Sequence, residues 1–249
     1  MDNIKYKFTI DNKDHEIEMV FVEGTHGKPY LFGVEQDKQA INVNDFFISK
    51  FPVTQAVWKF VMGNNENRSF FKGDDRPVEH VSWNDIAKED GFLDKINSNS
   101  FLKKIKKELP FISGANFRLP SETEWEYAAR GGKNWEDNFE HSGSNYIDEV
   151  AWYKENSGKQ TKPVGQKNPN QLGIYDMNGN VWEWCQDYFS RDTNNIPKNG
   201  SPYLLQGSDR VLRGGCHHNG AIHCTVSKRY EIMPEASDEC IGFRLAMSV

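Results

Sequence analysis

Arg210-Val211-Leu212-Arg213-Gly214-Gly215 and Ile241-Gly242-Phe243-Arg244-Leu245-Ala246 bracket a window close to the C-terminus. Both brackets read as ordinary fold-building sequence. In the second, Ile241, Phe243, Leu245 and Met247 alternate with Gly242, Arg244, Ala246 and Ser248, the period of a half-buried final strand. The residues between the brackets obey no such rule. Cys216, His217, His218, Asn219, Gly220, Ile222, His223, Thr225, Lys228, Tyr230, Glu231, Ile232 and Met233 follow neither a helical nor a strand repeat. A regular scaffold that closes around an irregular insert implies a surface on display. These residues, with Asp238 and Glu239, are the candidate ligand contacts.

Outside the window, short strand and helix signals alternate. Tyr6 to Ile10 and Ile17 to Val22 alternate apolar and polar residues around Asn12-Lys13-Asp14, a hairpin pattern. Phe46-Phe47-Ile48-Ser49-Lys50 reads as a further strand. Pro52 and a capping Thr54 then start a helix with Val57, Phe60 and Val61 on one face and a stop at Gly63. Ser82-Trp83-Asn84-Asp85 opens a second helix that Gly91 stops or breaks. Ser121-Glu122-Thr123-Glu124, after Pro120, opens a third that ends at Gly131-Gly132. From Asn134 onward turns dominate, with Asn168-Pro169-Asn170 and Asn178-Gly179-Asn180 among short apolar groups. Strands at both ends with helices between them give a loop-rich α+β class. Pairing of the terminal strands in a central sheet would hold the window on a surface.

At 249 residues, without a Pro/Gly/Ser-rich linker, charge block or internal repeat, the chain reads as one domain spanning 1–249. Hydrophobic residues make up 37% and aromatic residues 13%, so the core leans on Trp, Phe and Tyr rather than on aliphatic runs. The net charge is -6, and basic residues are scattered apart from Lys103-Lys104-Ile105-Lys106-Lys107. That distribution offers no phosphate-tracking stripe and argues against a nucleic-acid partner. No apolar run reaches the roughly 20 residues of a membrane-spanning helix, and Met1-Asp2-Asn3-Ile4-Lys5 is too polar to open a signal peptide. Four cysteines, Cys185, Cys216, Cys224 and Cys240, form no CxxC pair. A Cys216–Cys224 disulfide, with 224 - 216 = 8, is sterically open to the chain but not dictated by spacing.

Three clusters invite chemistry, and each has a plainer reading. Asp176-Met177-Asn178-Gly179-Asn180-Val181-Trp182-Glu183-Trp184 supplies oxygens beside a tight turn, and Asp176, Gly179, Val181 and Glu183 would be the ligands of a structural calcium ion. The visible oxygens fall short of the six to eight that calcium takes. In the plainer reading Asn178-Gly179 makes a turn, Trp182 and Trp184 pack, and Glu183 pairs with an arginine. His217, His218 and His223 near Cys216 and Cys224 suggest a soft metal, yet adjacent histidines rarely converge on one ion, and no supporting carboxylate is evident. Exposed contact residues are the expectation there. Glu122 and Glu126 share the N-terminal end of one helix face, where capping and the helix dipole account for them without acid–base catalysis. No phosphate-cradling glycine loop, G-x-S-x-G elbow or HExxH is present.

Several phrases together resemble the formylglycine-generating enzyme (sulfatase-modifying factor) family, whose domain is an elaborated C-type lectin-like fold. They are Glu18-Met19-Val20-Phe21-Val22-Glu23-Gly24, Phe51-Pro52-Val53-Thr54, Arg76-Pro77-Val78 with Val81-Ser82-Trp83, the run from Arg118 to Gly131, Gly173-Ile174-Tyr175-Asp176-Met177 with Gly179-Asn180-Val181-Trp182-Glu183-Trp184, and the two brackets. The resemblance implies an α+β, loop-rich C-type lectin-like fold of that type over nearly the whole chain. The family's copper-using oxidases carry two catalytic cysteines at the positions held here by Asn219 and Cys224, and only Cys224 matches. One thiol does not supply paired soft ligation for copper(I).

The window itself resembles the variable region of diversity-generating retroelement variable proteins of the Treponema type. These use the same lectin-like domain and end in the same two brackets. That resemblance implies a variable region at about 210–246, with Ala221, Cys224, Val226, Ser227, Arg229 and Pro234 holding the backbone and the residues between them facing a partner. It implies a non-enzymatic, receptor-type protein that requires no cofactor. Its partner would be a protein or other cell-surface macromolecule, met at the cell surface or outside the cell once a leader is removed. A copper-dependent oxidase acting on a sulfatase cysteine, or a catalytically silent paralogue of one, is the competing expectation.

Overall fold

The computed structural model describes residues 1–98, Lys103 and 114–249, so Lys104 to Lys107 of the basic run lie outside the described residues. Its strands are β1 (Ile4–Ile10), β2 (Lys13–Val22), β3 (Tyr30–Phe32), β4 (Gln39–Ile41), β5 (Phe46–Ser49), β6 (Phe117–Arg118), β7 (Trp182–Tyr188), β8 (Arg210–Arg213), β9 (Arg229–Ile232), β10 (Ile241–Phe243) and β11 (Ala246–Ser248). A five-stranded antiparallel sheet runs β1-β2-β5-β11-β6, and a four-stranded sheet runs β10-β7-β8-β9. Strands β3 and β4 form a separate pair.

The larger sheet is covered on both faces, which explains the unbroken apolar run in β2. Met19, Phe47 and Met247 pack into one buried cluster. Val20, Val22, Phe46 and Ile48 pack into a second. A strand buried on both faces has no polar side to show. The expected hairpin forms, but it turns one position earlier than predicted: Ile10 pairs with Lys13 across Asp11-Asn12. Both turn residues have positive φ, 50° and 62°, as a two-residue type I′ turn requires.

The C-terminal strand departs from expectation. The alternating run from Ile241 to Ser248 is split between sheets, β10 pairing in parallel with β7 and β11 lying between β5 and β6. The terminal elements therefore share a sheet without pairing with each other. Arg244 sits at the split, fully buried, and donates to Glu183 from Nε (2.6 Å) and Nη2 (2.8 Å). It also donates to the carbonyls of Ser49 and Tyr175, both at 2.9 Å. Alternation predicted a residue facing solvent; the ion pair instead turns Arg244 into the core.

Three helix starts match their sequence signals. Thr54 accepts from the Val57 N–H to cap Gln55–Met62. Ser82 and Asp85 form a capping box for Trp83–Ala87, and after Gly91 the chain restarts as Phe92–Ser98. Ser121 and Glu124 form a second box for Glu122–Ala129, a helix buried at every position. Ser121 Oγ also donates to the Gly200 carbonyl at 2.8 Å. Replacing Ser121 with Ala removes both roles, and a loss of about 1–2 kcal/mol is expected from urea midpoints. An unchanged midpoint would show that the cap contributes nothing.

No helix among the described residues is long and apolar enough to cross a membrane.

Candidate functional site

The window is less irregular than its sequence. Its second half contains β9, the edge strand of the smaller sheet, in antiparallel register with β8: Leu212 faces Tyr230 and Arg213 faces Arg229. The first half is a turn followed by a single 3-10 turn at Ala221–His223. Four residues of β9 are too few for a strand period to stand out among their neighbours.

A buried charge network fixes this backbone. Arg213 Nη1 donates to Glu122 at 2.8 Å, and its Nη2 donates to Glu126 and to the Val226 carbonyl, both at 2.6 Å. Arg229 grips Glu122 through Nε (2.6 Å) and Nη2 (2.7 Å), and its Nη1 donates to the Ser190 carbonyl at 2.9 Å. Burial alone would raise the Glu122 carboxyl, but the Arg229 and Arg213 guanidiniums overcome it and hold the group below its ordinary value. Capping therefore accounts for Glu124, whereas Glu122 and Glu126 are counterions for the window and its bracket. Sequence reasoning missed that role. The available signal was a pair of carboxylates one turn apart on a helix whose other residues are mostly apolar or aromatic.

Further ties bind the window to the rest of the chain. The Val226 N–H donates to the Glu140 carbonyl (3.0 Å), the His80 N–H to the Asp238 carbonyl (2.9 Å) and the Asn84 N–H to the Pro234 carbonyl (3.2 Å). Of the expected anchors, Cys224 and Val226 are buried and Arg229 is held by Glu122. Ala221, Ser227 and Pro234 are half-buried.

The expected contacts divide by exposure. Ile222 (75%), Met233 (62%) and Tyr230 (49%) are open to solvent, as are His218 and Asp238. Asn219, Gly220, His223, Thr225, Lys228, Glu231, Ile232 and Glu239 are half-buried. Two are not surface residues: Cys216 and His217 are buried. His217 lies edge-on to Phe71 (5.4 Å) and stacks on His218 (5.3 Å), and burial pulls its imidazole below the ordinary value. Ile232 packs on the first apolar cluster, so its outer role is also reduced. Two side chains outside the window join its surroundings. Trp182 stacks beneath Tyr230 at 5.4 Å, and Phe70, 68% exposed, adjoins Phe71.

Spacing left the cysteine pairing open, and the structure fixes it. Cys216 pairs with Cys240, with Cα atoms 5.5 Å apart, while Cys224 remains a free buried thiol. The bond joins the two ends of the window. Cys224 sits under Gly215, where φ is +77° and a Cβ would lie 2.6 Å from its sulfur. Burial pushes the Cys224 thiol up to about 12. At the other oxidase position, Asn219 accepts from the Cys216 N–H through Oδ1 at 3.1 Å. A single protonated, buried thiol and an amide do not fit copper(I).

Two of the candidate calcium ligands, Asp176 and Glu183, have other partners. Both Glu183 oxygens are engaged by Arg244, and one also accepts from Trp125 Nε1 at 2.6 Å. Asp176 accepts from the Gly165 N–H at 2.7 Å, and burial raises its carboxyl to about 6. A guanidinium already neutralises Glu183, so these side chains do not fit a hard-cation cage. Gly179 serves the turn instead. Its φ is +73° and a Cβ there would lie 2.3 Å from the Trp152 carbonyl, so the position admits glycine alone.

Comparison with known proteins agrees with this architecture. The sulfatase-modifying factor enzyme 1-like domain profile matches residues 7–249. Chaperone protein LppX of Paenibacillus barcinonensis is 43% identical over 235 residues, covering 80% of this chain and 78% of that protein. The formylglycine-generating enzyme of Bos taurus is 31% identical over 215 residues, covering 78% of this chain but 50% of the enzyme. The solved structure of Treponema denticola variable protein 1 superposes with a TM-score of 0.79 at 30% identity over 99% of both chains. The fold is thus the C-type lectin-like fold of the formylglycine-generating enzyme type.

Proposed function

Because the chain belongs to the sulfatase-modifying factor enzyme 1-like family, we propose that it keeps the family's scaffold and uses the window as a non-catalytic binding surface for a protein or other cell-surface macromolecule. One observation carries this reading: Ile222, Tyr230 and Met233 stand exposed on a backbone whose neighbouring residues, Cys224, Val226 and Arg229, are locked inward. An apolar and aromatic surface on a rigid support is what macromolecular contact surfaces provide. Likeness to a variable protein in the same fold supports the idea that these side chains are interchangeable.

The oxidase reading loses its support at Asn219 and Cys224. Purified protein given copper(I), oxygen and a cysteine-containing sulfatase-motif peptide should convert none of it to formylglycine by mass spectrometry. Turnover abolished by Cys224→Ser would overturn the binding reading. Diversification has its own test in the neighbouring DNA, where a near-copy of the window differing at adenines should lie beside a reverse transcriptase gene.

A second reading is favoured by the 43% identity with a relative named a chaperone: the partner is then a protein still folding. A raised refolding yield of a denatured test protein, abolished by changes at Tyr230 and Met233, would select it.

A further inference from the structure

We propose that Cys216, His217 and Cys240 form, once the Cys216–Cys240 bond is reduced, a binding site for a thiophilic d10 cation such as Zn(II) or Cu(I). One ligand atom from each of the three residues, a ring nitrogen of His217 and the two sulfurs, lies within 4.8 Å of the others. The histidine makes this more than a disulfide with a neighbour. His217 is fully buried, and its Nδ1 lies 3.1 Å from the Asn180 carbonyl, so the ring proton sits on Nδ1 and donates there. Nε2 then carries a lone pair inside the protein with no donor to meet it among the described residues. A buried polar atom without a partner calls for a ligand or another explanation. Imidazoles that ligate metals commonly donate their other N–H to a backbone carbonyl, as this one does.

The surroundings hold the donors in place. Phe71 and His218 flank the ring, and the His218 N–H donates to Cys216 Sγ at 3.4 Å, a contact that favours the thiolate. Two thiolates and a neutral imidazole are a soft set suited to d10 ions. The site differs from the oxidase positions, since neither Asn219 nor Cys224 belongs to the group of three donors. Reduction by a phosphine and water puts two electrons into the S–S bond and yields two thiols and a phosphine oxide. A divalent ion then displaces both thiol protons. The ends of the window are thus joined by a covalent bond under oxidising conditions and by a metal under reducing ones.

The full chain, reduced without oxygen and freed of phosphine, is titrated with Zn(II) against a chromophoric chelator, with Cu(I) in a second arm. Alkylation and mass spectrometry then locate the protected thiols. One bound equivalent is expected in at least one arm, with Cys216 and Cys240 protected. The oxidised chain and His217→Ala should bind at least about tenfold more weakly, since loss of a supporting group alone costs 10–100-fold. Should His217→Ala not fold, the oxidised and reduced wild-type chains carry the comparison alone. Equal binding by both redox forms, protection elsewhere, or no saturable binding in either arm overturns the site.

Discussion

Glu122→Ala should destabilise the protein by about 3–5 kcal/mol, the range for removing one partner of a buried ion pair. Glu122 is fully buried and answers two guanidiniums, Arg213 at 2.8 Å and Arg229 at 2.6 and 2.7 Å. Without it Arg213 keeps Glu126, but Arg229 is left with the Ser190 carbonyl and the face of the Phe189 ring, and no counterion among the described residues. For a chain of this size each kcal/mol moves Tm by about 2–4 °C, so a fall of about 10 °C is expected by calorimetry. The same group gives a pH signature. Its carboxyl is held below the ordinary value in the fold, so its stabilisation is present above the unfolded carboxylate range, near pH 4, and is lost as pH falls through the folded value. Urea midpoints measured from pH 7 down to pH 3 should therefore fall less steeply in the variant. A variant with wild-type Tm and acid slope would show that the network does not hold the window.

The same network marks where sequence reasoning succeeded and where it stopped. Local signals were legible because their cause is local: Ser121 and Glu124 are three residues apart, and their capping box forms as read. Glu183 was matched to an arginine by its plainer reading, and Arg244 is that arginine, 61 positions away. Glu122 offered only the hint of paired carboxylates on an apolar helix, and nothing pointed to Arg213, 91 positions away, because topology alone brings the two together. His217 was misplaced for a related reason. Histidine beside histidine in a polar stretch suggests exposure, yet its burial depends on Phe71, contributed by a distant loop. The fold was readable through resemblance, and the window's outward side chains largely through residue type. Which of them turn inward required the packing.

That division decides the second large effect. Changing His218, Ile222, Tyr230 and Met233 together to serine should cost little stability but most of the binding. All four are exposed, and surface changes away from buried networks usually stay within about 0.5 kcal/mol. Tyr230 is the exception, since it stacks on Trp182 at 5.4 Å and an aromatic pair contributes about 0.5–1.5 kcal/mol. The fourfold variant should then lose about 1–2 kcal/mol in urea titrations, well below the effect of Glu122→Ala. Including His217 or Ile232 would spoil the experiment, because both pack inward. For binding, a photo-crosslinker at position 230 should capture a partner that one at Leu205, 91% exposed and outside the window, does not. Against that partner Tyr230→Ala alone should raise Kd about 30-fold, the 2 kcal/mol expected of a central aromatic contact. Equal capture from both positions would remove the window as the binding face. Collapse of the fourfold variant would instead mean that its side chains are core, and the surface would have to be sought elsewhere on the scaffold.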